Sequence, residues 1–319
     1  MAAHATIEID GQYRELREDA GWLHRERAVL AFTGPDAASL LQGQVTNDVE
    51  ALDPGEGCYA ALLDRKGHLQ ADMRVLALAP GEFLVDLEPA GLEATERHFQ
   101  LYKLGSDVEL STLELELVSV IGPRAGAALG APPLAREGCH AELGLNGVKA
   151  RAIATDVGFD LLLPQEDVDT LGAALRTSGV APVSEEAAEI SRVASGRPRF
   201  GHELVAGTMP AEAGITERAV SFTKGCYIGQ ETVARLHYRG KPNRHLRGLR
   251  AAAALAPGDT VSSGERELGR VGSAVLSPAQ GSLALAILRR EATPGELVTV
   301  GDAAVDAEVV ELPFAVPQV

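Results

Sequence analysis

Residues 224–249 read KGCYIGQETVARLHYRGKPNRHLRGL, a stretch that sets one cysteine among glycines ahead of a basic run. A helical pattern begins near Ile228 and Gly229 and continues through Arg235, so Cys226 lies just before a helix N-terminus. The positive end of a helix and the nearby ammonium of Lys224 both favour a thiolate, and one interpretation is a reactive thiol. The other interpretation is a small buried hydrophobe beneath a turn, because cysteine is among the most buried residue types.

Two features flank this cysteine. Gly225 and Gly229 permit a close approach of the backbone or a positive φ. Downstream, only basic charges occur between positions 235 and 250: Arg235, Arg239, Lys241, Arg244, Arg247 and Arg250. This run is either a solvated linker or an anion site, since arginine forks bind carboxylate and phosphate groups in bidentate fashion. RNA binding is a weaker form of the second interpretation.

Size and composition limit the classes of function. A chain of 319 residues predicts two or three packed units. With 29 Lys and Arg against 45 Asp and Glu, the net charge is −16, which opposes general binding of nucleic acid, although a local basic patch can override it. The three cysteines, Cys58, Cys139 and Cys226, form no C-x-x-C, so we expect free thiols and no metal site built by the protein alone. Without a signal-like or membrane-length apolar run, we expect a cytoplasmic protein.

The pattern of elements changes once along the chain. Before residue 240, strands are predicted at 27–33, 57–64, 68–79, 82–87, 113–121, 148–154 and 158–163, and helices at 35–41, 90–104, 165–177 and 184–195. From Arg244 onward, short strands separated by Gly and Pro turns predict a small closed β-barrel or sandwich. The sequence therefore predicts a domain boundary near 240–245.

Residues 224–249 resemble the signature of the YgfZ family, which consists of folate-binding proteins associated with iron–sulfur enzymes. Further segments resemble the family: LLQGQVTNDV at 40–49, LLDRKGHLQADMRV at 62–75, SRVASGRPRFGHEL at 191–204 and MPAEAGI at 209–215. The wider superfamily includes the glycine-cleavage T-protein, an aminomethyltransferase that uses tetrahydrofolate. T-proteins read K-x-D-F-I-G-K-E where this chain reads KGCYIGQE, so Cys226 indicates the YgfZ branch.

The resemblance implies an α+β fold, with a T-protein-like folate-binding body of two α+β subdomains and a C-terminal β-barrel. The expected body spans 1–242, divided into 1–105 with 180–242 and 106–179, and the expected barrel spans 243–319. The implied function is binding of tetrahydrofolate, or a folate derivative, in support of the assembly or repair of iron–sulfur enzymes, including tRNA-modifying ones. The implied partners are folate and either iron–sulfur enzymes or assembly proteins. No association with a membrane is expected.

The same resemblance implies site residues. Asp72 is expected near the reactive folate nitrogens, where a carboxylate helps to move a proton. Asp160 stands where T-proteins carry a Glu that pairs with the pterin ring edge, and Arg192 matches an arginine of the folate channel. Asn47 is expected to line the pocket. The residues alone leave an alternative interpretation open for three of these positions. Asp72 is equally consistent with a solvent-facing strand residue, Arg192 with an arginine on a helix surface, and Asn47 with a residue that caps a turn.

The motif around Cys226 supplies the remaining candidates. Cys226 is expected to act as the working thiol together with Asp72, and Lys224 and Tyr227 are expected to contribute to cofactor binding. The motif residues are Lys224, Gly225, Cys226, Tyr227, Gly229, Gln230, Glu231 and Arg235.

Two other functions remain open. The first is a tetrahydrofolate-dependent aminomethyl or one-carbon transferase with Asp72 as its key carboxylate. The second is an RNA-interaction protein that uses the basic run, although the net charge of −16 and the 4% aromatic content make direct nucleic-acid binding the less favoured expectation.

Overall fold

The computed structural model describes the backbone of residues 2–315 and the side chains of residues 8–315. Its helices are α1 (Ala2–Glu18), α2 (Ala37–Gln44), α3 (Leu92–Tyr102), α4 (Ala125–Leu129), α5 (Val168–Thr177), α6 (Glu185–Ala194), α7 (Thr216–Ala219) and α8 (Gln230–Arg239). The strands of the body are β1 (Gly21–Arg25), β2 (Ala28–Thr33), β3 (Gly57–Leu63), β4 (Leu69–Ala79), β5 (Glu82–Leu87), β6 (Glu109–Leu113), β7 (Leu115–Ile121), β8 (His140–Leu145), β9 (Val148–Thr155), β10 (Gly158–Pro164) and β11 (Ala181–Pro182). The later strands are β12 (Arg244–Ala251), β13 (Thr260–Ser263), β14 (Arg266–Ser277), β15 (Gly281–Arg289), β16 (Leu297–Val300) and β17 (Val305–Val310).

A five-stranded antiparallel sheet has the order β3-β4-β5-β2-β6. Successive side chains of a strand point to opposite faces, so β4 sends Met73 and Val75 into a core that also contains Phe32 and Phe99. The rings of Phe32 and Phe99 meet edge to face with centroids 4.7 Å apart. The other face of β4 carries Asp72 and Arg74, followed by Leu76 and Leu78, which join a separate apolar cluster.

A six-stranded sheet has the order β11-β1-β7-β10-β9-β8, and only the β1–β11 pairing is parallel. Its apolar face packs on α5, where Trp22 lies so close to Gly172 that a Cβ there would stand 2.7 Å from the indole ring. Helix α6 runs beside this sheet and packs against α1 through Ala187 and Leu16.

Two short links join these sheets. Residues 26 and 27 separate β1 in the six-stranded sheet from β2 in the five-stranded one, and Glu114 alone separates β6 from β7. The single strand predicted at 113–121 is therefore wrong at its start: the chain changes sheets at Glu114. The predicted division into 1–105 with 180–242 and 106–179 stays a prediction. Two strands lie on the other side of it: β1 belongs to the six-stranded sheet, and β6 belongs to the five-stranded sheet.

The last strands close into a six-stranded barrel, in the order β12-β15-β14-β13-β16-β17, with β17 pairing back to β12. Leu249, Val261, Ala286 and Val300 fill its interior. The barrel joins the body through Arg192 of α6, whose Nη2 donates a hydrogen bond of 2.6 Å to Oγ of Ser273 on β14.

The predicted fold class, an α+β T-protein-like body with a C-terminal β-barrel, is confirmed. Sequence patterns did not predict α1, α4, α7, β1, β6, β8 or β11. Within residues 2–315, no helix has both the length and the apolar character that crossing a bilayer requires.

Candidate functional site

A central cavity of about 230 Å³ lies between the two sheets and α6. Tyr59 of β3 and Asp72 and Arg74 of β4 form one wall, and Ser119 and Asp160 of the other sheet face them. Asp72 and Arg74 share a face because they are two residues apart on one strand. Charged side chains dominate the lining: Arg25, Arg27, Arg74, Arg192, Arg197, Arg199 and Arg218 with Asp72, Glu88, Glu137, Asp156, Asp160 and Glu189.

Asp72 is held by a tyrosine on the neighbouring strand. The hydroxyl of Tyr59 donates a hydrogen bond of 2.7 Å to Oδ2 of Asp72. Burial raises the pKa of Asp72, and the hydrogen bond from Tyr59 offsets only part of this rise. Burial and the adjacent carboxylate together keep the pKa of Tyr59 well above its usual range. The pair therefore presents a carboxyl group that binds a proton more readily than a solvated aspartate does.

Asp160 lies in the cavity but is engaged by two donors. Its Oδ2 pairs with Nη1 of Arg74 at 2.5 Å, and its Oδ1 accepts from Oγ of Ser119 at 2.6 Å. Because each carboxylate oxygen has two lone-pair sites, both can still accept a second hydrogen bond.

Arg74 and Arg27 also bind Asp86, whose side chain is fully buried. Burial alone would raise the pKa of Asp86, but the guanidinium groups of Arg74 and Arg27 hold it below its usual range. Arg74 thus links Asp86 of the five-stranded sheet to Asp160 of the six-stranded sheet, and fixes the wall between them.

Arg192 lines the cavity, but its fork is used within the protein. Its guanidinium binds Glu189 at 2.7 Å and the buried Glu203 at 3.2 Å, in addition to Ser273 of the barrel. The predicted contact of Arg192 with folate stays a prediction. This geometry gives Arg192 a structural role that ties α6 to the barrel.

Asn47 stands behind the cavity and is absent from its lining. Its side-chain nitrogen donates to the backbone oxygens of Tyr59 (2.8 Å) and Arg218 (3.1 Å). Asn47 is therefore a positioning residue for two cavity side chains, and neither a pocket wall nor a simple turn cap.

Lys224 is buried and caps the end of α2. Its Nζ donates to the backbone oxygens of Gln42 (2.6 Å), Val45 (2.7 Å) and Asn47 (2.9 Å). An ammonium has three N–H donors, so none is left for a folate or for a thiolate at Cys226. Burial lowers the pKa of Lys224 to about 8. The predicted cofactor-binding and thiol-activating roles are corrected to a structural one.

Tyr227 belongs to the same structural arrangement. Its ring lies 5.2 Å from Nζ of Lys224 and is buried among Leu63, Leu204 and Val233. Burial raises the pKa of Tyr227 to about 12. Tyr227 is absent from the cavity lining, so its predicted contact with cofactor is also corrected.

Cys226 is exposed, so the interpretation as a buried hydrophobe is wrong. It precedes α8, which begins at Gln230 and runs one turn beyond the predicted Arg235, and it is absent from the central cavity. Gly229 has φ +85°, and a Cβ there would stand 2.6 Å from the carbonyl oxygen of Asp64, which confirms the need for glycine. The same prediction for Gly225 is wrong, because a Cβ there meets nothing within 4 Å.

The rest of the motif lies on the first turns of α8. Gln230 is half-buried, while Glu231 and Arg235 are exposed. Among residues 8–315, no group of three or more His, Cys, Asp or Glu side chains is arranged to hold a metal ion.

Two family matches cover most of the chain. Residues 8–224 match the family described as the GCVT N-terminal domain, and residues 244–312 match the CAF17, C-terminal beta-barrel domain. A tRNA-modifying protein YgfZ from Vibrio vulnificus is 30% identical over 81% of this chain and 78% of the relative. The chain belongs to the GcvT-like proteins of the YgfZ family.

Other relatives of this YgfZ-family chain carry the transferase name. An aminomethyltransferase from Rubrobacter xylanophilus is 31% identical, with 96% of this chain and 86% of the relative covered. The solved structure of glycine cleavage system aminomethyltransferase T from Bartonella henselae matches with a TM-score of 0.86, covering 96% of this chain and 89% of that one. At 22% identity, that structural likeness shows the fold alone.

Sequence reasoning predicted only Asp72, Asp160 and Arg192 of the cavity lining in this YgfZ-family chain, and missed Tyr59, Arg74, Ser119 and Arg218 among others. Arg218 lies over the Tyr59 ring at 4.9 Å and binds Glu137, while its buried Nε has no hydrogen-bond partner in the described part. The register of the β3–β4 hairpin offers a signal for Tyr59, because it pairs Tyr59 with Arg74 and Ala61 with Asp72. No comparable local pattern marks Arg218.

Proposed function

We propose that this protein binds tetrahydrofolate or a related folate in the central cavity. We also propose that it supports the assembly or repair of iron–sulfur enzymes, including tRNA-modifying ones, in the cytoplasm, with Cys226 as its working thiol. The YgfZ relative and the CAF17-type barrel support the coarser role, in tRNA modification or iron–sulfur metabolism. The folate, the client enzymes and the thiol chemistry are the finer parts of the proposal.

One observation carries the folate proposal: a carboxyl group with a raised pKa, Asp72, lies in a polar cavity between two sheets. The pterin part of a folate presents ring N–H and amino donors next to a carbonyl acceptor. The carboxylates of Asp72 and Asp160 suit the donors, and the unpartnered Nε of Arg218 suits the acceptor. The residues of the cavity therefore fit this class of ligand.

Each residue has a distinct task in this proposal. Asp72 accepts a proton at Oδ1 or Oδ2 and returns it, and Tyr59 fixes the orientation of the carboxyl group. Arg74 and Ser119 hold Asp160 in place at the facing wall. The bound folate supplies the one-carbon or redox chemistry of the pterin. Proton transfer and orientation are what this chain's own residues contribute.

Calorimetry with tetrahydrofolate tests the binding step. We expect wild type to bind it and Asp72→Asn to bind it at least about tenfold more weakly, because the amide replaces an acceptor oxygen with a donor. Asp169→Asn, an exposed change on α5, serves as the control. Absence of binding heat in wild type, or equal affinity in both variants, would refute a folate site at Asp72.

A second candidate function is a tetrahydrofolate-dependent aminomethyl transferase. The aminomethyltransferase relative that covers 96% of this chain favours it, since the same cavity and Asp72 would serve that reaction. Formation of methylene-tetrahydrofolate from an aminomethyl or N-methyl donor, dependent on Asp72, would establish turnover. Absence of product with every donor class would retain binding without transfer.

Cys226 enters the proposal because it is exposed, while Cys139 is buried and Cys58 half-buried. One thiol cannot hold a cluster alone, so we propose transient ligation shared with a client protein, or redox chemistry. In a bacterial strain that lacks its own YgfZ relative, we expect wild type and Cys139→Ala to restore an iron–sulfur methylthiotransferase. Cys226→Ala is expected to fail, and rescue by Cys226→Ala would remove the thiol from the proposal.

A further inference from the structure

A second concave site lies where α8 meets the barrel. This α8–barrel groove has a volume of about 660 Å³ and shares no lining residue with the central cavity. Its cationic lining comes from α8, from the link to the barrel, from two barrel strands and from the turn after β15: Arg235, Arg239, Lys241, Arg244, Arg289 and Arg290. The basic run of the sequence is therefore partly gathered, together with the end of β15, around one depression.

The groove places like charges next to one another. Arg244 stands directly opposite Arg289 in the β12–β15 ladder, a position at which like charges destabilise a sheet. Arg235 and Arg239 are four residues apart on α8, where like charges also repel. In the described part of the chain, none of these side chains has a carboxylate within 4.0 Å, whereas Arg74, Arg192 and other cavity arginines are ion-paired.

Two acidic residues also line the groove, and both have partners already. Glu291 accepts from Arg266 at 2.8 Å, and Glu212 accepts from the backbone nitrogen of Met209 at 3.2 Å. These two carboxylates offset only part of the charge of six cationic side chains, and the excess positive charge of the groove suits an anion from outside the chain.

An exposed aromatic ring lies on α8 outside the groove lining, near Phe222 and His237. Tyr238 is 66% exposed and, as the i+3 neighbour of Arg235, lies on the adjoining side of α8. His237 beside it is stacked on Phe222 at 3.9 Å, which fixes this end of the helix. A basic groove with an aromatic ring beside it is the arrangement that binds single-stranded nucleic acid, with phosphates in the groove and a base stacked on the ring.

We propose that the α8–barrel groove binds the phosphates of a single-stranded nucleic acid, with a base that passes Arg235 stacked on Tyr238 beside the groove. An acidic protein segment would use the arginines equally but offers no base for Tyr238. Binding is expected to be strongest at low salt and independent of sequence, because the groove cations release counterions from the phosphates, although the overall charge of −16 opposes the contact. This inference does not rest on folate binding, because the two sites have separate linings.

Fluorescence anisotropy with labelled oligouridine and oligothymidine of about twelve nucleotides tests the groove and separates RNA from DNA. The test variant is Arg239→Gln with Arg289→Gln. Its matched control, Arg14→Gln with Arg97→Gln, removes the same charge from α1 and α3, where Arg97 makes only a weak exposed pair with Glu93.

We expect the test variant to bind about tenfold more weakly at low salt. The slope of log affinity against log salt should be shallower by about 1.4, since each phosphate that the protein no longer neutralises accounts for about 0.7. The control is expected to match wild type. Tyr238→Ala is expected to weaken binding about fivefold without changing the slope, because stacking releases no counterions.

Three results would overturn the proposal: no binding of either oligonucleotide at low salt, equal losses in the test and control variants, or an oligoglutamate peptide that binds through the same arginines while the oligonucleotides do not. Tetrahydrofolate calorimetry on the test variant keeps the two proposals distinguishable. We expect folate binding to be unchanged there.

Discussion

Replacing Lys224 by methionine separates the role observed in the structure from the role that its place in the motif suggests. Lys224→Met keeps most of the side-chain volume and removes the ammonium. The change strands the backbone oxygens of Gln42, Val45 and Asn47, which accept at 2.6, 2.7 and 2.9 Å. Since those oxygens lie at the C-terminus of α2, we expect a loss of stability.

The magnitude follows from two opposing quantities. Hydrogen bonds from a charged donor contribute roughly 1.5–3 kcal/mol each, and the variant forms none of the three. Against this, methionine avoids the desolvation of a buried ammonium; the fall of the Lys224 pKa from 10.5 to about 8 corresponds to about 3 kcal/mol. The net expectation is a loss of about 3 kcal/mol. At an unfolding entropy of about 2 cal/mol/K per residue, a chain of this size should lose about 5 °C in Tm.

Thermal unfolding followed by circular dichroism measures this loss. Lys149→Met, at an exposed position of β9, should leave Tm within about 1 °C of wild type. At a temperature where both variants are folded, tetrahydrofolate should bind Lys224→Met as it binds wild type. An unchanged Tm with folate binding abolished would refute the structural role and restore Lys224 as a ligand residue.

Three further predictions concern other parts of the molecule. Burial and the charge of Arg151 lower the pKa of His140 to about 4, so the unfolded chain binds more protons than the folded one between pH 6.5 and pH 4, and the free energy of unfolding decreases as the pH is lowered through this range. In urea unfolding at pH 7.5 and pH 5, we expect the decrease to be about 2 kcal/mol smaller for His140→Gln than for wild type. Equal decreases in the two proteins would contradict this prediction. Gly229→Ala should lower the free energy of unfolding in urea by about 2 kcal/mol, because the residue has a φ of +85° and a Cβ would contact Asp64. Gly225→Ala should leave it nearly unchanged. Similar losses at both positions would argue against backbone strain at Gly229. Arg192→Met should destabilise the protein by about 3 kcal/mol, because the buried Glu203 carboxylate loses its cation. The loss of the contact with Ser273 should also make the body and the barrel separately sensitive to protease. A loss of stability below about 1 kcal/mol would show that Glu203 finds another partner.

Much of the fold could be predicted because its signals are local. The alternation in residues 68–79 predicts both β4 and the face that Asp72 shares with Arg74. Helix α8 and the glycine at 229 also follow from nearby residues. By contrast, β11 has two residues and pairs with β1 across more than half of the chain, so no local pattern marks it.

The candidate site was less predictable because its side chains find distant partners. The sequence pairs Lys224 with Cys226, its neighbour in the motif, yet its acceptors lie some 180 positions earlier at the end of α2. The resemblance places Arg192 in the channel, but Glu203 and Ser273 take its fork. A motif indicates that a residue is required, whereas only the folded structure shows which groups that residue contacts.

The short links between the two sheets restrict how a ligand can reach the central cavity. Two residues between β1 and β2, and Glu114 between β6 and β7, tie the opposing walls together covalently. The two links lie side by side, because β2 pairs with β6 and β1 pairs with β7. An apolar cluster shared by both sheets holds them together, and separating the sheets would expose it: Val29, Leu76, Leu84, Leu117, Ile153 and Leu162. Any ligand must therefore enter a chamber that already has its final width. Association should follow a single bimolecular phase, with no slow isomerisation before or after it.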